Sequence, residues 1–154
     1  ALKATCIESL EFASRQNASI ATEESLEFVT QALADDAPRV KWESAKVIGN
    51  IAHRFPTKLA KAIGNLLTNA EYNGTVVRWA AAFALGEILK LKTKYNKDLL
   101  PALEAICNRE TDNAIKKKAG ASIFQIRCLS PVIFNKSAAM NKRRLTLMNV
   151  PDSP

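Results

Sequence analysis

With 154 residues, the chain is long enough to form one domain with a substantial core. It is 47% hydrophobic and 24% charged with only five glycines, the composition of a soluble, mainly helical protein, and no apolar run is long enough to predict a transmembrane helix. The net charge of +7 is uneven: up to Phe55 the chain holds six Lys/Arg against eight Asp/Glu, and from Pro56 onward it holds sixteen against seven. No basic stretch followed by an apolar one opens the chain, so no secretory signal is expected. The first residue is Ala1 and not Met, as expected of a fragment or of a chain trimmed at its start.

Leu2 to Arg15 reads as an amphipathic helix, with Leu2, Cys6, Leu10 and Ala13 along one face and Ile7 beside it. The polar stretch Gln16 to Ser19 is the turn after it. Thr22 is expected to cap the second helix, with Glu23 and Glu24 where the helix dipole favours negative charge and Leu26, Val29 and Leu33 as the apolar stripe. An aspartate cap from Asp35 or Asp36, with Pro38 in the first turn, starts the next helix, Arg39 to Arg54. Pro56 breaks it, and Thr57 is expected to cap a helix buried through Leu59, Ile63, Leu66 and Leu67. Asn73 and Gly74 supply the turn before the helix Val76 to Lys90. Asn96 and Asp98 precede a further helix with Pro101 in its first turn and Leu100, Leu103 and Ile106 facing inward. Asp112 and Asn113 then cap a last helix that runs to about Cys128. After Ser130 and Pro131 the pattern fails. There the sequence holds a weak helical stretch from Ala138 to Met148, the basic cluster Lys142, Arg143 and Arg144, and a tail with two prolines. The expected division is a repeat domain over 1–130 and an irregular segment over 131–154, serving as a weak cap or a flexible tail.

The segment Val76 to Lys90, VVRWAAAFALGEILK, recurs on both sides. Aligning Val40, Val77 and Ile115, at offsets of 37 and 38, brings small residues together at Ser44/Ala81/Ala119 and Ala45/Ala82/Gly120. Large aliphatics coincide at Ile48/Leu85/Ile123 and Ile51/Ile88/Ile126. An offset of 38 places Leu2 under Val40 and Leu10 under Ile48, so the first helix is the second member of an incomplete repeat. Helical spacing at this period marks an α-solenoid, in which stacked helix pairs bury stripes that no pair could bury alone.

Val77, Arg78, Ala81, Ala82, Ala84, Leu85 and Gly86 resemble the second helix of a short HEAT-like repeat of the type also found in phycobilisome lyases. Val40, Lys41, Ala45, Ile48 and Gly49 also fit that pattern. Ile115, Lys116, Ala119 and Ile123 fit as well, whereas Gly120 and Phe124 depart. The resemblance covers roughly 21–128 and implies an all-α superhelix of antiparallel helix pairs, about three repeats plus a partial one. It says little about activity, because similar proteins include scaffolds, transport factors, phosphatase subunits and a few enzymes.

In such a stack the second helices line the concave face. Their outward positions would be Trp42, Glu43, Lys46 and Asn50, then Trp79, Ala80, Phe83 and Glu87, then Lys117, Lys118, Ala121 and Gln125. Trp42, Lys46, Trp79, Phe83 and Glu87 are the candidate protein-binding residues, since aromatic anchors in a groove suit a peptide or helix. The alternative is that both tryptophans pack between layers with only an indole edge exposed. Lys116, Lys117 and Lys118, with Arg109, Arg127 and Lys142 to Arg144, form a candidate phosphate-binding strip, or else a solvated helix surface and tail. A nucleic-acid module is therefore the second functional reading, with HEAT-like DNA glycosylases as a parallel, although no equivalent catalytic Asp can be placed. A lyase or cofactor handler is suggested only by the repeat subtype.

The single His53, near a helix end, favours the dipole more than chemistry. With no nucleophile beside a base and no metal-ligand spacing, catalysis, a metal and a cofactor are not expected. Cys6, Cys107 and Cys128 are expected to be buried thiols in a reducing, cytoplasmic setting. The expected role is a non-catalytic scaffold binding a protein or peptide, with self-association or a larger parent chain suggested by the exposed ends of a solenoid.

Overall fold

The computed structural model describes residues 2–129. Seven α-helices run through this span: α1 (Leu2–Gln16), α2 (Glu23–Ala32), α3 (Pro38–Ile51), α4 (Ala60–Asn69), α5 (Thr75–Lys90), α6 (Asn96–Arg109) and α7 (Asn113–Leu129). Short 3-10 turns span Ala18–Ile20 and Ala52–Arg54, and there is no strand among the described residues. The long helices α1, α3, α5 and α7 lie side by side as one layer, and α2, α4 and α6 form the other, each resting on the long helix that comes after it. The described chain is thus an all-α repeat superhelix with α1 as the half-repeat. Lys142, Arg143, Arg144 and the segment 131–154 lie outside the described residues.

The alanine and aliphatic columns produce the core. Ala81, Ala82, Ala84, Leu85 and Ile88 of α5 are completely buried, as are Ile48 and Val47 of α3. Small side chains let the helices approach closely, and the aliphatics fill the space between layers. Glycine matters where the long helices touch. A Cβ added to Gly49 would lie 2.5 Å from the Phe83 ring, and one added to Gly86 would lie 2.4 Å from Ser122 Oγ.

A second device runs along the repeats, at the basic residue just after the first column. Lys3 Nζ donates to Asp35 Oδ2 at 2.6 Å. Lys41 Nζ donates to the Leu33 carbonyl at 3.1 Å and to Asn69 Oδ1 at 3.2 Å. Arg78 donates from Nη1 to the Tyr72 and Asn73 carbonyls, and from Nε to Glu110 Oε2 at 2.9 Å. In sequence these ties span 32, 28 and 32 positions, each joining its own repeat to the next. Lys116, next in the column, is exposed.

Several local expectations are corrected. Thr22 does cap α2, in a reciprocal box with Ser25. Asp35 does not cap α3; the N-cap is Ala37, because Asp35 Oδ1 takes the Ala37 amide in the preceding turn while Oδ2 holds Lys3. The Lys3 hydrogen bond, then the Ala37 amide, lower the Asp35 pKa. Thr57 caps nothing either: α4 begins at Ala60 without a side-chain cap, and the Thr57 carbonyl accepts from Tyr95 Oη at 2.7 Å. Helix α6 starts at Asn96, whose side chain takes the Thr93 amide and donates to the Leu89 carbonyl, so Pro101 falls in the second turn. Leu99, not Leu100, is the buried member of its stripe.

On α1 the buried set is Ala4, Ile7, Glu11 and Ser14, while Leu2 is 79% exposed. The face expected from Leu2, Cys6 and Leu10 is rotated because α1 buries the side turned to α3. The same rotation leaves Cys6 exposed; Cys128 is exposed and Cys107 half-buried, so the three thiols are not buried hydrophobes.

Candidate functional site

The stripe of partly accessible residues on the long-helix layer is built from helical spacing. Trp42, Lys46 and Asn50 recur at one-turn intervals on α3, and Trp79, Phe83, Glu87 and Lys90 do so on α5, all of them half-buried. Two neighbouring positions do not join them: Glu43 is 2% exposed and Ala80 is fully buried, because each turns into the seam beside its helix.

Trp79 and Phe83 stack with ring centroids 5.9 Å apart and planes 10° from parallel. Phe83 is seated against Gly49 of the preceding long helix, and Lys118 Nζ of the next one lies 4.5 Å from its ring centroid. Lys46 Nζ lies 4.9 Å from the Trp42 ring. Trp79 and Phe83 of α5 thus meet Gly49 of α3 and Lys118 of α7, while Trp42 holds the position on α3 equivalent to Trp79. Both tryptophans also rest partly on the core, so each is an indole with a buried side and an accessible one.

Beside this strip is a charge cluster that leaves little trace in the sequence. Lys46 Nζ is 3.4 Å from Glu11 Oε2 and 3.1 Å from Glu43 Oε2, with both carboxylates almost wholly buried. Arg15 Nε approaches Glu11 at 3.9 Å from the solvent side. Asn50 Nδ2 donates to the Glu11 carbonyl and to Ser14 Oγ. Lys46 is thus a structural cation as much as a surface one. The one readable signal is Glu11 itself, which at the repeat offset falls in the column of Gly49, Gly86 and Phe124.

Glu87 is paired with Lys90 at 2.7 Å. Among the described residues, two of the arginines grouped with the candidate basic strip are engaged by carboxylates. Arg109 is paired with Glu71 and Arg127 with Glu104, so their charge is taken up within the fold. Lys116 and Lys117 are exposed and Lys118 is half-buried on Phe83.

Arg78 and Glu110 form the most strongly polarised pair. The Arg78 hydrogen bond holds the Glu110 carboxyl down to about 2 against the desolvation that raises it, helped by the Asp112 and Thr111 amides. Glu110 in turn raises the Arg78 pKa. The pair closes a seam between repeats.

Among the described residues no group of His, Cys, Asp and Glu could hold a metal, and no helix is long and apolar enough to cross a membrane. A family model described as HEAT repeats matches residues 26–123. No curated protein and no solved structure matches the chain.

Proposed function

The chain belongs to the HEAT-repeat family, and from that premise we propose that its long-helix face is a docking platform for a segment of another protein. HEAT repeats generally serve as scaffolds for protein interaction and are generally not catalytic. The observation that carries the reading is the half-buried strip of Trp42, Trp79 and Phe83, fixed from below by the core and by Gly49. Aromatic side chains held this way offer large contact area at low entropic cost, the usual character of interface anchors. Lys46 and Glu87 border the strip and supply polar contacts at its edge.

Affinity capture from lysate tests this reading, comparing wild type with a Trp79→Ala variant shown by circular dichroism to be folded, each with and without nuclease. Proteins held by wild type after nuclease treatment and lost by the variant would support the platform. Capture that vanishes with nuclease would move the assignment to nucleic acid, and capture indifferent to Trp79 would remove the strip from the site.

A further inference from the structure

We infer that the segment bound on the long-helix face is acidic, with a carboxylate seated at the α7 end beside an apolar side chain resting on Trp79 and Phe83. This rests on the docking reading above and adds the chemistry of the ligand. The charge on the face changes along the array. On α3, Lys46 is neutralised by Glu11 and Glu43 at 3.4 and 3.1 Å. On α5, Lys90 is neutralised by Glu87 at 2.7 Å. On α7, Lys117 and Lys118 have no carboxylate partner among the described residues, and the Lys118 ammonium is held in place over the Phe83 ring. Ala121 is the next repeat's counterpart of Phe83, so where α3 and α5 present Lys46 and Phe83, α7 presents only a methyl group, and it is exposed. The face therefore offers two cations without carboxylate partners next to a pre-stacked aromatic pair.

A peptide carboxylate fits this better than a nucleic-acid phosphate. A nucleic-acid backbone needs a run of free cations to offset its regular charge, whereas on this face only Lys117 and Lys118 are left without a carboxylate among the described residues. A segment with one acidic end and an apolar remainder places its charge on α7 and its apolar side on α5, which is how charge complementarity fixes register in an interface.

The test uses three synthetic amphipathic helical peptides with identical apolar residues and with Glu, Gln or Lys at the polar positions. Binding to the full chain is followed by fluorescence anisotropy at low and high salt. The Glu peptide is expected to bind most tightly, and to lose about 10-fold in affinity with Lys117→Glu at an exposed position, a change worth ~1.4 kcal/mol. Lys118→Glu should weaken it as well, while Lys118→Arg, which keeps the charge over the ring, should not. Equal binding of all three peptides with continued dependence on Trp79 would overturn the acidic ligand and leave the platform standing. Glu-peptide binding unchanged in Lys117→Glu and Lys118→Glu would overturn it too, as would failure of the Glu peptide to bind at low salt, or its displacement by a single-stranded oligonucleotide at matched ionic strength.

Discussion

The seam between α1 and α3 and the seam between α3 and α5 occupy equivalent slots and are filled by opposite chemistry. Glu11 and Gly49 share a column, and so do Lys46 and Phe83. In the first seam the slot holds a buried carboxylate facing an ammonium at 3.4 Å. In the second it holds a glycine so close to an aromatic ring that a methyl group would not fit. One backbone arrangement therefore tolerates an ionic or an apolar solution, and the two differ in how they fail. An ion pair out of water depends on each member having its partner, because an abandoned charge is costly. A glycine–ring contact depends on volume, and overfilling it moves side chains and backbone.

Breaking the first seam should have the largest effect. Lys46→Ala leaves Glu11 and Glu43 buried without their shared cation, and a loss of about 3–5 kcal/mol in chemical denaturation is expected. The combined Glu11→Gln, Glu43→Gln, Lys46→Met variant should recover most of that loss, since neutral groups of similar size need no counter-charge. If the combined variant stayed as unstable as Lys46→Ala, packing and not charge would govern this seam.

A neighbouring ion pair sharpens the contrast through pH. The folded-state pKa of Glu110 is depressed from 4.5 to about 2, so its stabilisation is present in full above pH 4.5 and is lost as pH falls towards 2. The shift corresponds to at most about 3 kcal/mol at neutral pH, reduced by solvent screening around the accessible edge of Arg78. Acid titration of stability should show this loss in wild type, and a flatter profile in Arg78→Ala, which removes the largest cause of the shift. An unchanged profile would mean that the amides of Thr111 and Asp112 suffice.

The apolar seam should respond more modestly. Gly49→Val is expected to cost about 1–3 kcal/mol by overpacking and to swing Phe83 away from Trp79. Near-ultraviolet circular dichroism would report the altered stacking while helicity stays constant. Retention of the wild-type aromatic signal would show that the ring does not depend on Gly49 for its position.

The parts of this fold legible in the sequence are those that repeat. Val40, Val77 and Ile115 are all buried, as are Ile48 and Leu85, because a shared column at helical spacing fixes which side of a helix faces its neighbours. The equivalent half-buried placement of Trp42 and Trp79 follows from their shared column in the same way. Glu11 and Glu43 were not, because a glutamate reads as surface until another helix delivers a lysine to it. The caps at Asp35 and Thr57 failed differently. Asp35 does bond locally, to the Ala37 amide, but ahead of α3, and its other oxygen is held by Lys3; Thr57 lies three residues before α4, in a turn whose carbonyl is held by Tyr95. Where a helix starts thus depends partly on partners a repeat away.

Lys3, Lys41 and Arg78 each hold a partner in the following repeat, and Lys41 and Arg78 also hold carbonyls a few residues before them. The array therefore has a grain. Cutting one tie weakens a single join, so Arg78→Ala loosens the seam between α5 and the α6–α7 pair, whose packing remains, and leaves the ties at Lys3 and Lys41 in place. Because the unpaired lysines of the face lie on α7, the acidic end of a bound segment grips the part of the protein held by the final tie. A ligand there clasps that last repeat from outside, and amide exchange in α7 should slow on binding more than exchange in α1.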